Sequence, residues 1–248
     1  MITIKSKSEV DKMRVAGKIT GDALRLIEKH IRPGVSTLEL DKIAYDFIKK
    51  QGAIPSFLNY NGFPGSICAS PNDWVVHGIP SKNIILKEGD IISIDMGACK
   101  DGYHGDAART FAVGKISDEA QKLIDVTKQS FFEGIKHATH GAKIGDVASA
   151  IQEYVEKHGY SVVRDLVGHG IGRNLHEDPS VPNFGRAGKG VKLAQGMTIA
   201  VEPMVNEGAY DVVVLDDDWT VVTEDGSLSA HYENTILITR GECEILTL

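Results

Sequence analysis

Apolar positions in the first fifty residues fall on helical spacing. Met13, Ala16, Thr20, Ala23, Leu24, Ile27 and Ile31 recur three or four apart behind Ser6 and Glu9, which are spaced as a capping box, and the pattern stops at Pro33-Gly34. A second box, Ser36 with Glu39, opens a run carrying Leu40, Ile43, Ala44, Phe47 and Ile48 that ends at Gly52. The pattern then turns β-branched, and 90–96 and 103–113 predict strands joined at the hairpin signal Asp101-Gly102. Two further helices are predicted over about 118–139 and 144–158, before glycine- and β-rich sequence that runs to the C-terminus. Helices, strands, helices, strands is an α+β order.

That order contains a repeat. Gly34 and Gly52 bracket one helix, Gly141 and Gly159 bracket another, and both pairs are offset by 107 positions. The same offset carries Phe47 to Tyr154, Ile48 to Val155, Gly89 to Gly196, Ile92 to Ile199, Ile94 to Val201 and Asp95 to Glu202. Either the glycines coincide by chance or one catalytic domain, 1–248, holds two related halves, about 34–113 and 141–239. The second reading brings two acidic strands together about a pseudo-two-fold axis.

Those acids are out of place. Asp95 interrupts Ile91-Ile92-Ser93-Ile94-Asp95-Met96, a run suited to a sheet interior, where an unpartnered carboxylate is costly. A two-residue turn at Asp101-Gly102 sets Lys100 opposite Tyr103 and Asp95 opposite Ala108, with Asp106 on the same face as Asp95 and about 7–8 Å away diagonally. A divalent cation between them, a solvated strand face, or a pairing with Arg109 would each relieve the repulsion, although Arg109 alternates to the opposite face from Asp106. Glu202 and Glu233 repeat the oddity in the second half, and His169 stands among small residues in Gly168-His169-Gly170-Ile171-Gly172. One imidazole and four carboxylates suit hard to borderline divalent cations, and four acids neutralise two such ions. Two ions sharing bridging carboxylates would make a hydrolytic centre.

Composition narrows the setting. A formal charge of −7 and a pI near 5.7 argue against a broad nucleic-acid surface. Three cysteines, Cys68, Cys99 and Cys243, are too few for a disulfide framework and fit a reducing cytosol. No leader pattern opens the chain, and no apolar run approaches the roughly 18 residues of a membrane span. Residues 185–190 imitate a phosphate loop, but Asn183 replaces its first glycine and Gly190 its Ser or Thr. There is no nucleophile elbow, and His176-Glu177-Asp178-Pro179 lacks the second histidine of a zincin helix.

Over essentially its whole length the chain resembles the type I methionine aminopeptidases of the compact bacterial kind. The motifs are Val76-His77-Gly78-Ile79-Pro80, Gly89-Asp90-Ile91-Ile92-Ser93-Ile94-Asp95, Gly102-Tyr103-His104-Gly105-Asp106, Gly168-His169-Gly170-Ile171-Gly172, His176-Glu177-Asp178-Pro179 and Glu202-Pro203-Met204. The resemblance implies the α+β pita-bread fold, with two pseudo-symmetric halves around a central antiparallel sheet flanked by helices. It implies that Asp95, Asp106, His169, Glu202 and Glu233 hold two divalent ions, with Asp106 and Glu233 bridging. Co, Mn, Fe and Zn all accept these donors.

By the same resemblance, His77 contacts the scissile amide on its nitrogen side and His176 the carbonyl as it becomes an oxyanion. Glu202 also shuttles the proton of the activated water, while Tyr60, Phe63, Cys68 and Trp219 enclose the methionine side chain. Two pocket-edge positions depart from the family pattern: Phe57 replaces a smaller residue and Leu175 an aromatic one. The implied activity is removal of the N-terminal methionine of nascent polypeptides ahead of a small second residue, by a cytoplasmic monomer whose acidic balance confines any ribosome contact to a local patch. Proline-directed relatives carry a large N-terminal domain, and type II methionine enzymes an insertion that the Glu202–Glu233 interval is too short to hold. Non-catalytic binding relatives lack the metal ligands.

Overall fold

The structure, a computed structural model, describes all 248 residues. Its four helices are α1 (Lys7–Glu28), α2 (Thr37–Lys50), α3 (Asp118–Ile135) and α4 (Ile144–Lys157). At the start of α2, Ser36 Oγ accepts from Glu39 N at 3.2 Å and Ser36 N donates to the Glu39 carboxylate at 2.9 Å, closing the predicted box. α2 and α4 are both 14 residues long and start at positions 37 and 144, in keeping with the 107-residue offset.

Two helices end earlier than their apolar patterns predict. Beyond Glu28 the His30 ring bonds the Leu26 carbonyl at 2.9 Å, and Pro33 disfavours helical backbone just before it. α3 stops at Ile135 because the chain turns away to bridge Thr139 to Thr239, with His140 N donating to Thr239 O at 2.8 Å. Long-range pairing wins over helical periodicity at the end of α3. No helix is long and apolar enough to cross a membrane.

Every strand pairing is antiparallel. The Ile91–Lys100 and Tyr103–Ala112 strands form the predicted hairpin, with Lys100 opposite Tyr103, Asp95 opposite Ala108 and Asp106 opposite Gly97. The Ile67–Pro71 strand pairs on the other edge and sets Cys68 opposite Asp95. In the second half, Asn234–Leu237, Thr198–Val201, Gly168–Gly170 and Glu177–Val181 lie in this order in a five-stranded sheet.

The expected single central sheet is therefore divided, and the division falls beside the acids. Pro203, which has no N–H to donate, follows Glu202 and ends the Thr198–Val201 strand. Between the halves a threonine hydroxyl stands in for a ladder rung: Asp106 N donates to Thr235 Oγ1 at 3.0 Å, and Thr235 Oγ1 donates to Asp106 O at 3.0 Å. Glu233 N donates to Ala108 O at 3.0 Å alongside.

One apolar core lies in each half. The first joins α1 and α2 to the hairpin through residues such as Leu24, Leu40, Ile94 and Met96, and the second joins α3 and α4 to the other sheet through Phe131, Ile151, Ile199 and Ile236. α1 reaches the hairpin at two glycines. A Cβ on Gly105 would lie 2.7 Å from Gly17 Cα, and one on Gly17 would lie 2.1 Å from the Leu246 carbonyl oxygen. Gly17→Ala gains about 1 kcal/mol of helix propensity, whereas overpacking costs about 1–3 kcal/mol and more against backbone. We expect a net loss of about 2 kcal/mol, read as a lower urea midpoint at unchanged slope; an unchanged midpoint would show that α1 can slide to make room.

Candidate metal centre

Asp95 and Asp106 rise from the hairpin onto one face. His169 comes from the Gly168–Gly170 strand, whose neighbours press so close that a Cβ on Gly168 would lie 2.4 Å from Ala200 O and one on Gly170 2.1 Å from Asp178 O. His169 Nδ1 hydrogen-bonds the Gly170 carbonyl at 2.9 Å, so it carries the proton and leaves the Nε2 lone pair free. That nitrogen lies 3.6 Å from Glu202 Oε1 and 3.8 Å from Asp106 Oδ2. Glu233 sits on the other side of the threonine seam.

Ligand atoms of Asp106, His169 and Glu233 all fall within 4.8 Å of one another, and those of Glu202, His231 and Glu233 form a second such group. Asp95 stands outside both groups but in the same cavity. His231 escaped the sequence reading. It is buried, its Nε2 lies 3.7 Å from Glu202 Oε2, and neither ring nitrogen has a hydrogen-bond partner.

Burial dominates the electrostatics. It pushes the Asp95 carboxyl up to about 7. Burial, reinforced by neighbouring carboxylates, lifts Asp106, Glu202 and Glu233 well above the usual range. Burial acts oppositely on the imidazoles, lowering His77 to about 4 and His169 and His231 to about 3, so all three are neutral near pH 7. One oxygen each of Asp95, Asp106 and Glu233 is buried without any partner. Arg109 does not relieve them: its guanidinium bonds the backbone carbonyls of Ala108 and Glu233 and the Asn234 side chain, and covers the Tyr232 ring at 4.2 Å. Unpartnered carboxylate oxygens around a free imidazole nitrogen fit a divalent cation, the least costly neutraliser on offer.

All five residues line one cavity of about 820 Å³, together with His77, His176, Tyr60, Phe63, Cys68 and Trp219. Every site residue singled out from the sequence is thus brought together. Phe63 meets Trp219 edge-on at 5.1 Å, and the two departures, Phe57 and Leu175, pack in the same apolar cluster. His176 Nδ1 lies 3.2 Å from Tyr60 Oη, and its ring centroid is 4.2 Å from that of His169. His77 and Asn61, both on the cavity wall, hold φ of 60° and 50°, in the left-handed region that non-glycine residues avoid. The imitation phosphate loop is accounted for elsewhere: Gly188 N donates to Asp146 at 2.6 Å and Gly185 N to Gln152 at 3.0 Å, so its amides tie down α4.

Residues 11–240 match the model of metallopeptidase family M24. The chain belongs to that family. A methionine aminopeptidase from Clostridium acetobutylicum is 60% identical over 248 residues, spanning 100% of this chain and 99% of that protein. The crystal structure of methionine aminopeptidase from Rickettsia prowazekii matches with a TM-score of 0.98 at 47% identity, covering 100% of both chains. An Xaa-Pro dipeptidase from Bacillus anthracis matches with a TM-score of 0.79 at 26% identity, and this chain spans 61% of that one. Likeness over full length therefore lies with the methionine-specific branch of the pita-bread fold. As an M24 metallopeptidase this chain is a metal-dependent hydrolase, and the groups above are its candidate metal-binding residues.

Raised carboxyls make the metal-free protein pH-sensitive. Their folded-state values exceed the unfolded ones, so the native state binds more protons and loses stability as pH climbs from about 4 through 7. The lowered imidazoles act with the opposite sign, but only below about 6.5, where they protonate on unfolding. Above that pH the carboxyls act alone. We expect the melting temperature of chelated protein to fall between pH 6.5 and 8, and the rise on adding Mn²⁺ to be larger at pH 8 than at pH 6.5. A flat chelated profile would refute this account of the cluster.

Proposed function

We propose that this chain removes the N-terminal methionine from nascent polypeptides and peptides, favouring a small second residue. The observation that carries the reading is convergence: four carboxylates, Asp106 and Glu233 among them buried, and a neutral imidazole share one cavity with an aromatic wall. Asp95, Asp106, His169, Glu202 and Glu233 would hold two divalent ions, drawn from Co, Mn, Fe or Zn, with His231 Nε2 3.7 Å from Glu202. Bound there, such ions supply a Lewis acid for the scissile carbonyl and lower the pKa of water.

The remaining work falls to side chains. Tyr60, Phe63, Cys68 and Trp219 take up the methionine side chain, whose flexible, polarisable thioether suits aromatic neighbours. With the Tyr60 hydroxyl donating to His176 Nδ1, the Nε2–H of His176 is left to donate to the substrate carbonyl oxygen as negative charge grows on it. His77, neutral and fixed by its unusual backbone, faces the amide nitrogen. Glu202 accepts the proton of the attacking water and passes it to the leaving amine. Three free cysteines agree with a cytoplasmic setting, and we take residues 1–248 to act as one catalytic domain and as a monomer that meets any ribosome only locally.

A panel of free-amine peptides varied at the first two positions tests the reading. Met-Ala and Met-Gly peptides should be cleaved well, norleucine in place of methionine with a modest loss, and Met-Lys or an acetylated Met-Ala poorly. Faster cleavage of Leu-Pro than of Met-Ala would move the protein to the proline-directed branch.

Substitutions separate the roles. Asp106→Asn and Glu233→Gln should abolish activity together with metal binding measured by calorimetry, because an amide cannot bridge two cations as a carboxylate does. His176→Ala should lower kcat by about 10²–10³, the usual loss of one oxyanion donor, while metal content stays the same. Parallel loss of metal and rate would make His176 a ligand instead.

A further inference from the structure

One buried ion pair has no part in the chemistry above. Lys5 Nζ lies 2.6 Å from Glu177 Oε2, with the two side chains only 5% and 8% exposed. Burying two charges costs several kcal/mol each before their attraction is counted, so such a pair is poor as a stabiliser and is better explained by something it holds in place. Glu177 follows His176 directly, and its carboxylate is fully engaged. Oε2 also accepts from Thr3 Oγ1 at 2.7 Å, and Oε1 accepts from Asn174 N at 3.1 Å.

Both ends of the pair are anchored. Lys5 N donates to Gly196 O at 2.8 Å, just ahead of the strand that leads to Glu202. Beyond Ile171 the chain folds into a tight turn, Gly172 N to Asn174 O at 3.1 Å, and the Glu177 carboxylate closes that turn from its far side. A Cβ on Gly172 would lie 2.5 Å from Lys5 Cε and 2.8 Å from Glu177 Oε1, so the turn leaves room for the pair only as glycine. The adjacent Glu177 pairs with Gly170 in the strand ladder, but the His176 ring itself has few contacts: one of 3.2 Å with the Tyr60 hydroxyl, and ring contacts with Tyr60 and His169.

We infer that Lys5 and Glu177 are a positioning pair, which clamps the 172–177 turn and thereby sets where the His176 imidazole stands over the metal centre. The inference rests on the role proposed above for His176. A displaced donor loses rate without losing substrate affinity or metal, and a shift of about 1 Å can cost about 10²-fold.

The test measures kcat, KM and bound metal on a Met-Ala peptide for Lys5→Met and Glu177→Gln, each alone and combined with His176→Ala. Alone, each should lower kcat by about 10- to 100-fold with KM and metal stoichiometry unchanged, and Lys5→Arg should restore most of the rate. Combined with His176→Ala, the same substitutions should lower kcat by less than about twofold, because no imidazole remains to be misplaced. An equal fold-loss in both backgrounds, or loss of metal, would reduce the pair to general structural support and overturn the inference. So would full activity of Glu177→Gln, whose isosteric side chain keeps the test readable should Lys5→Met fail to fold. A His176→Ala enzyme with unchanged kcat would instead defeat the role of His176 itself, an outcome distinct from failure of the pair.

Discussion

Four carboxylates crowded into one cavity cannot all carry charge unless a cation sits among them. Two unit charges 4 Å apart repel by about 4 kcal/mol at the effective dielectric of a protein, and ligand atoms of Glu233 lie within 4.8 Å of those of both Asp106 and Glu202. The hairpin register brings the first two acids to one face, the glycines around His169 let a neutral nitrogen approach, and the threonine seam joins Glu233 to the set. Ordinary packing would place apolar residues at these positions. Here the packing of two separate cores presses the acids together, and the cost is recovered only with metal bound.

The same constraint explains why the cavity has two kinds of wall. Its polar floor demands positive charge, which can be met in part by ions and in part by the amine of a substrate. Its apolar side, built around Phe63 and Trp219, can hold only an uncharged side chain. A peptide's first residue offers that combination, a cationic amine next to a side chain. In the proposed function, the preference for chain termini and the preference for methionine arise from two surfaces of one cavity, which His77 and Asn61 also line.

Much of this was legible in the sequence wherever local rules decide the outcome. The Asp101-Gly102 turn gave the hairpin register residue by residue, since a two-residue turn leaves one pairing and the side-chain period is two. Acids inside or bordering apolar runs marked four of the five candidate donors, and the family motifs pointed to residues that line the cavity. What stayed hidden depends on contacts distant along the chain. α3 ends where a remote partner, not periodicity, claims the backbone. His231 reads as an ordinary strand residue until Glu202 is placed beside it. Lys5 reads as one of several polar residues ahead of a helix, and only the fold reveals that it is buried 172 positions away from its partner.

The threonine seam also bears on how the protein comes into being. Asp106 has both its backbone N–H and its carbonyl satisfied by a single hydroxyl from Thr235, and Glu233 stands two residues before that hydroxyl. A chain emerging from the ribosome therefore holds the hairpin acids long before it holds the strand that completes them. Until Asn234–Leu237 has been made and has docked, there is no full set of donors and no reason for a cation to stay. An enzyme that trims the beginnings of other proteins is itself assembled, in this sense, only once a strand more than a hundred residues beyond its hairpin has been made.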